Sequence, residues 1–129
     1  MKFETAEEAK KWLRGLPLLK KELQMKTTFY QELMKDSKKL GTPNEKYIGY
    51  YQAQMDRMQK EMQELTEKME GILSKLEPDE RVVLTARYIK GVLWDAMEFY
   101  THYSRRQAIR IHNQAIERLV GQEIEAVAA

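Results

Sequence analysis

Apolar side chains recur at strict three- and four-residue spacing between residues 48 and 76, and the residues between them are mostly Gln, Glu, Lys and Arg. This pattern predicts a helix roughly 43 Å long with one continuous apolar seam of the coiled-coil type. Such a seam must be covered by another helix of the same chain or by a partner. The nine seam positions are Ile48, Tyr51, Met55, Met58, Met62, Leu65, Met69, Ile72 and Leu76.

A turn signal joins this helix to a second periodic segment. Residues 41–45 read Gly-Thr-Pro-Asn-Glu, a glycine suited to a helix end followed by a capping-box start at Thr42. The segment before it, residues 18–40, is predicted to be a helix whose stripe Lys26 and Ser37 interrupt. The short link favours an antiparallel helical hairpin. Because that helix covers the seam imperfectly, we expect a homodimer or another partner to contact the seam at Met55, Met58, Met62, Leu65, Met69 and Ile72.

The N-terminal residues predict a further short helix. Residues 5–8 read Thr-Ala-Glu-Glu, which is a capping-box pattern, and a helix over 6–14 should follow. Gly15 and Pro17 should then break or kink it. The first residues are charged and lack the apolar run of a signal peptide, and no segment approaches the roughly 20 apolar residues of a membrane-spanning helix. We therefore expect a cytoplasmic protein without membrane contact.

Composition argues against catalysis. The 129 residues include no cysteine and only two histidines, so a thiolate zinc site and a cysteine nucleophile are excluded. No glycine-rich phosphate loop and no nucleophile–base pair is recognisable in the sequence. The sequence therefore predicts an all-α protein that is not an enzyme and has no cofactor, metal ion or small-molecule substrate.

The type of basic residue changes along the chain. The first 75 residues contain 13 Lys and 2 Arg, whereas residues 81–119 contain 6 Arg and 1 Lys. From Ser104 to His112 there are three arginines and no acidic residue. Lysine suits a solvated helix face, whereas arginine suits bidentate contacts with phosphates and guanine edges. The second half of the chain is thus the candidate for binding nucleic acid.

The helix signals in this half have helix-turn-helix spacing. Helices are predicted over 78–90, 93–100 and 105–120, and the last one opens with a capping box at residues 104–107. A short helix, a three-residue turn and a longer helix form the unit whose second helix enters the major groove of DNA. The candidate DNA contacts are Ser104, Arg105, Arg106, Gln107, Ile109, Arg110 and Asn113.

Residues 76–119 also carry a family resemblance, through Arg81, Val83, Leu84, Arg87, Tyr88, Ile89, Gly91, Trp94, Tyr103, Ser104, Arg106, Arg110, Ile111, His112 and Ala115. This segment resembles the region-four helix-turn-helix of bacterial sigma factors, and more closely the phage late transcriptional regulators of the ArpU and RinA type. The resemblance implies a phage or prophage late-gene activator that binds double-stranded DNA in the bacterial host cytoplasm. Two positions depart from the pattern, since Glu98 and Thr101 stand where a small Ala and a Leu are usual. Glu98 should then turn outward or pair with Arg105 or Arg106.

Three side chains have alternative interpretations. Trp94 is expected in the core, with stacking on nucleic acid as the alternative. His112 is expected to have either a structural role or a contact with a phosphate. Arg87 is expected either in an ion pair, with Glu80 or Asp95 as the acid, or at a phosphate.

The sequence thus predicts a helical hairpin over 1–76, a helix-turn-helix domain over 77–121 and a short tail over 122–129. An alternative function is a protein-interaction module that contacts RNA polymerase or a sigma factor without reading DNA. A weaker alternative is a DNA-packaging component that forms ring-like oligomers.

Overall fold

The computed structural model of the chain describes residues 2–40 and 45–122. Within these ranges the regular structure is helical, apart from an isolated parallel bridge between Phe3 and Val120. The predicted all-α class is therefore confirmed. Among the described residues, no helix has both the length and the apolar character needed to cross a membrane.

The helices follow the predicted order, with small changes at their ends. A π-helical segment, Thr85–Ile89, continues α4, and a 3-10 turn, Trp94–Ala96, leads into α5. The predicted turn at residues 41–44, with its Thr42 cap, lies outside the described residues. The α-helices are α1 (Ala6–Leu13), α2 (Gly15–Leu40), α3 (Glu45–Leu73), α4 (Pro78–Leu84), α5 (Met97–Thr101) and α6 (Arg105–Leu119).

Side-chain caps fix the starts of α1 and α6 where the sequence predicts them. The Thr5 hydroxyl accepts a hydrogen bond from the Glu8 amide at 3.2 Å, and the Ser104 hydroxyl accepts one from the Gln107 amide at the same distance. The Glu8 carboxylate accepts from the amide of Glu4 at 2.8 Å, one residue before the expected cap. Each cap satisfies an amide that has no partner within its helix.

The chain forms two compact units, and their boundaries differ from the predicted division at residue 76. The first, which we call the core unit, combines residues 2–17 with 66–122, and the second, the hairpin unit, comprises residues 18–65. The boundaries differ because α1 packs against α6 and because Met69, Ile72 and Leu76 are buried in the core unit. These three residues continue the seam without belonging to the hairpin unit.

The core unit has a continuous apolar interior. One cluster lies between α4, the segment before α5, and α6, with Trp94 and Tyr103 packed against its edge. Several large side chains of this unit have almost no exposed surface, among them Leu13, Met69, Leu84, Ile116 and Leu119. The cluster consists of Val83, Ala86, Val92, Met97, Ala108 and Ile111.

The hairpin unit buries much less. The Thr27 hydroxyl contacts the Met55 sulfur at 3.6 Å, and the Phe29 and Tyr51 rings lie 5.3 Å apart, so the seam faces α2. Among the described side chains of this unit, Met58 alone is buried, with 7% of its surface exposed. The other seam residues, including Met62 and Leu65, are half-buried. Within the expected partner seam, Met69 and Ile72 instead belong to the interior of the core unit, so they are not accessible to a partner.

Candidate nucleic-acid interface

Helix α6 is held by four neighbouring elements of the core unit. Helices α1, α4 and α5 and the 3-10 turn all pack against it. Its inner face consists of Ala108, Ile111, His112, Ala115, Ile116 and Leu119, which are all buried. The opposite face is therefore presented at a fixed orientation relative to α4 and α5.

The turn between α5 and α6 is formed by the backbone of His102 and the side chain of Thr101. His102 ends α5 in the left-handed region, with a φ of 66°, and its amide donates to the Glu98 carbonyl at 2.9 Å. The buried Thr101 hydroxyl donates to the Met97 carbonyl at 2.7 Å and accepts from the Tyr103 amide at 3.2 Å. Because both hydroxyl interactions are satisfied, threonine fits an interior position where leucine is usual. Glu98 is exposed, in agreement with the expected outward orientation.

The candidate DNA contacts lie on the outer side of α6 and at its start. Ser104 and Ile109 are half-buried, and the Ser104 hydroxyl serves as the N-cap. The helical positions of Arg106, Arg110 and Asn113 place them on one face, directly opposite the buried residues. The five exposed candidates are Arg105, Arg106, Gln107, Arg110 and Asn113.

Positive charge dominates the first half of this outer face. The first acidic residue of α6 is Glu117, which follows Arg110 by about two turns on the same face. Arg105 pairs with Asp95 at 3.3 Å, and both side chains are mostly exposed, so water weakens this ion pair. The amides in the first turn of a helix have no partner within it and add partial positive charge. The exposed arginines and the first-turn amides therefore favour an anion at the start of α6, whereas Glu117 disfavours one near its end.

His112 lies behind this face in a buried polar network. Its Nε2 is 2.6 Å from the Tyr88 hydroxyl, and its Nδ1 is 3.0 Å from the Asn113 side-chain oxygen. If Nδ1 donates to Asn113, Nε2 accepts from Tyr88, and both ring nitrogens are satisfied. The Trp94 ring packs edge-on against the imidazole at 5.2 Å. With 6% of its surface exposed, His112 is structural, and the alternative of a direct phosphate contact is wrong.

The same burial changes the acid–base properties of this pair. Burial lowers the pKa of His112, and the cations of Lys10, Arg87 and Arg14 lower it further, while the bond to Asn113 opposes them. Burial also raises the pKa of the Tyr88 hydroxyl. The pair is therefore held in its neutral form, in which one proton lies between the two rings.

Arg87 is not in an ion pair with either expected acid. Its guanidinium donates to the Val92 carbonyl at 3.2 Å and lies 4.9 Å from the centre of the Trp94 ring. Asp95 pairs with Arg105 instead. The interpretation of Arg87 as the ion-pair partner of Glu80 or Asp95 is wrong because both acids pair with other arginines, and Arg87 instead stacks on the half-buried Trp94 at the edge of the core.

Glu80 has a partner that the sequence did not suggest. Its carboxylate lies 2.8 Å from the Arg118 guanidinium and accepts from the Glu77 amide at 3.1 Å. The Glu80 side chain is fully buried, whereas 40% of the Arg118 side chain is exposed. This pair ties the last turn of α6 to the first turn of α4 and so helps to fix the direction of α6.

Two further features of the surface were not predicted from the sequence. Gln114 is exposed four residues after Arg110, and helical spacing alone could have added it to the outer face. Leu93, Phe99 and Tyr100 are also exposed, and Phe99 retains 90% of its surface. The sequence gives no signal for these, because apolar residues in a short helix are normally assigned to the core.

In the part of the chain that the structure describes, no group of three or more His, Cys, Asp or Glu side chains is placed to hold a metal ion. Comparison of the chain with protein-family models, with curated proteins and with solved structures finds no match. The interpretation of the site consequently depends on its own geometry and charge.

Proposed function

We propose that the core unit binds double-stranded DNA through the outer face of the first half of α6. The observation that carries this proposal is the exposure of Arg105, Arg106 and Arg110 on a capped helix start, with no acid on the helix before Glu117. A helix presented in this way, with a supporting helix and a turn before it, matches the element that helix-turn-helix proteins insert into the major groove.

The positions of the side chains suggest separate roles. Arg106 and Arg110 are exposed on the outer face and are assigned to base edges, where arginine recognises guanine. Asn113 is exposed on the same face, and while its side-chain oxygen is bonded to His112, its amide nitrogen is assigned as a donor to a base edge. Arg105 and the first-turn amides are assigned to phosphates, which fix position but do not read sequence. Ile109 is half-buried and can offer an apolar contact to a thymine methyl group.

The biological role within this proposal is control of transcription. The resemblance of residues 76–119 to phage late regulators supports activation of late genes, with RNA polymerase as a second partner. DNA binding itself rests on the geometry of α6, and the regulatory role rests on the resemblance.

The proposal is tested by fluorescence anisotropy with labelled fragments of the source genome at two salt concentrations. The test variant is the double substitution Arg106→Ala and Arg110→Ala, and the matched control is Lys60→Ala with Lys68→Ala. All four side chains are exposed, and both variants lose two positive charges. We expect the test variant to bind at least ~10-fold more weakly and to discriminate less between fragments, because two base contacts disappear.

The control should keep the wild-type affinity within about twofold, since neither lysine lies on α6. Equal losses in the two variants would show that net charge, not α6, governs binding. Absence of salt-sensitive binding by the wild type to any genomic fragment would contradict the proposal.

A second candidate function is contact with RNA polymerase or a sigma factor without DNA reading. It is favoured by the exposure of Leu93, Phe99 and Tyr100, because exposed apolar side chains that lie together are typical of surfaces that contact another protein. Under this alternative, Phe99→Ser abolishes capture of purified polymerase and Arg106→Ala has no effect. Under the DNA-binding proposal, Phe99→Ser leaves DNA affinity intact.

A further inference from the structure

The hairpin unit lacks the interior that a stable helical structure needs. Residues 18–65 contain one buried described side chain, that of Met58, although the seam supplies apolar residues along the whole of α3. Two antiparallel helices cover each other on one side only and leave the groove between them exposed. Most of the stability of a helix in a protein comes from burying its apolar face against other elements. Additional helices must therefore complete the packing.

The exposed apolar residues of this unit gather on one side. Leu18, Met25 and Phe29 are 64%, 70% and 51% exposed, and their spacing of seven and four places them on one face of α2. Tyr50 is 58% exposed and packs against Tyr51, which in turn packs against Phe29. We call the side defined by Leu18, Met25, Phe29 and Tyr50 the open face.

A groove of about 230 Å³ runs between the two helices, and its α2 lining includes Leu19 and Lys26, which directly follow Leu18 and Met25 in the sequence. The Tyr50 hydroxyl accepts from the Gln54 amide at 2.8 Å, and Gln54 lines the groove, which places Tyr50 at its edge. The charged residues lining it are Glu22, Lys26, Arg57 and Glu61, two of each sign. A surface with balanced charges complements a second copy of itself, whereas nucleic acid or a strongly charged protein would require one dominant sign.

The size of the open face fits such a partner. The part of α2 within the hairpin unit, residues 18–40, is about 34 Å long, and two helices side by side are roughly 20 Å wide. The product, about 700 Å², is close to the ~800 Å² that each partner contributes to a standard interface. Two hairpins packed face to face form a four-helix bundle, in which each helix has an apolar interior side.

We propose that the open face is the dimer interface of this protein, covered by the same face of a second copy. The contact is isologous, so Met25 and Phe29 of each copy lie near the centre of the bundle and the groove acids of one copy approach the groove bases of the other. The seam of α3 then supplies the interior of each hairpin and not the contact between copies. This inference concerns the hairpin unit alone and does not require DNA binding.

The test measures molar mass by light scattering and sedimentation, without DNA, over a wide range of protein concentration. The wild type is expected at twice the 15.3 kDa of one chain. The double variant Met25→Lys with Phe29→Lys should raise the dimer dissociation constant at least ~100-fold, because each ammonium would be buried without a partner. Both residues are exposed in the single chain, so the monomer should keep its helical circular dichroism.

The matched control is Gln24→Lys with Gln31→Lys. These residues are exposed on α2 and line a different groove, of about 520 Å³, on the other side of the helix, and the control adds the same two charges. It should dimerise like the wild type. A monomeric wild type would overturn the proposal, and so would equal weakening by both variants, which would place the contact elsewhere.

A chemical test uses the absence of cysteine in the chain. Met25→Cys and Gln24→Cys each introduce a single thiol, so any product of a short bis-maleimide cross-linker joins two copies. The open-face interface predicts a cross-linked dimer for Met25→Cys and little for Gln24→Cys. The reverse result would assign the contact to the side of α2 that carries Gln24.

Discussion

The core unit and the hairpin unit are both helical, but they bury their side chains to very different extents. In the core unit, Leu84, Met97 and Ala115 have no exposed surface, and even the Glu80 carboxylate is enclosed. In the hairpin unit, the corresponding apolar positions are half-buried and Met25 is mostly exposed. A shortage of apolar residues does not explain this difference, because every position of the α3 seam is apolar.

The difference is one of topology. In the core unit, α4, α5 and α6 cross one another, with α1 also against α6, so each helix is covered on more than one side. Two helices in a hairpin cover each other along one line only. A surface that must hold arginines in fixed positions is therefore better placed in the core unit, and a surface that must accept another chain is better placed in the hairpin unit.

The largest expected effect compares matched truncations in the two units. Leu84→Ala should lower the free energy of unfolding of the core unit by about 2–5 kcal/mol, because it leaves a cavity in a closed interior. Leu23→Ala should cost about 1 kcal/mol, because the Leu23 side chain is only half-buried.

Urea titrations can follow the two units separately. Both tryptophans, Trp12 and Trp94, lie in the core unit, so their fluorescence follows that unit while far-ultraviolet circular dichroism follows all helices. Equal losses for the two truncations would show that the hairpin unit packs as tightly as the core unit and would remove the contrast.

A second pair of variants compares carboxylates. Glu80→Gln should lower the stability of the core unit by about 1–3 kcal/mol, because the buried bond to Arg118 loses its charge. Glu61→Gln removes an exposed carboxylate from the hairpin groove and should change stability by less than about 0.5 kcal/mol.

The same urea titrations measure both variants. If Glu80→Gln proved neutral, the pair with Arg118 would have no role in fixing α6. The difference in stability between the core unit and the hairpin unit would then come from apolar packing alone.

The smallest expected effect is a dependence of stability on pH that belongs to the core unit. Because burial lowers the pKa of His112 in the folded chain, the unfolded chain takes up this proton first as the pH falls below 6.5. The stabilisation is complete above that value and is lost as the pH falls from it towards the lower pKa of the folded state. Both histidines of the chain lie in the core unit, so the hairpin unit contributes no histidine titration.

The measurement is the urea midpoint between pH 7.5 and 5.5, a range in which ordinary carboxylates stay ionised. His112→Gln should flatten the dependence, whereas His102→Gln, at the exposed turn, should keep it. A wild-type midpoint that rises on acidification would contradict the sign.

Sequence reasoning succeeded where structure follows from local spacing. The starts of α1 and α6 depend on Thr5 and Ser104, whose cap bonds reach only three residues along the chain. The inner face of α6 and the seam of α3 likewise follow from helical periodicity. The outward positions of Arg106 and Arg110 could be predicted for the same reason, although their contact with DNA stays a prediction.

The rest depends on residues distant in sequence. Periodicity cannot indicate that Arg118 is the partner of Glu80, or that Arg87 stacks on Trp94. Residues 2–17 join the core unit through the packing of α1 on α6, for which neither segment carries a local signal. The π-helical segment at 85–89 also has no recognisable signature, since its residues suit an ordinary α-helix.

The bridge between Phe3 and Val120 has a consequence for the order of folding. The Phe3 carbonyl accepts from the Gly121 amide at 2.8 Å, so this contact joins the first described residues to the last ones. During synthesis, residues 18–65 are made before Val120, whereas α1 is made early and its packing partner α6 is made last among the helices. The contacts between α2 and α3 close a short loop and can form first, even though two helices alone are marginally stable, whereas the core unit must close a very long loop at the end. Pulse-labelling of the nascent chain should therefore detect protection in α3 before protection in α1.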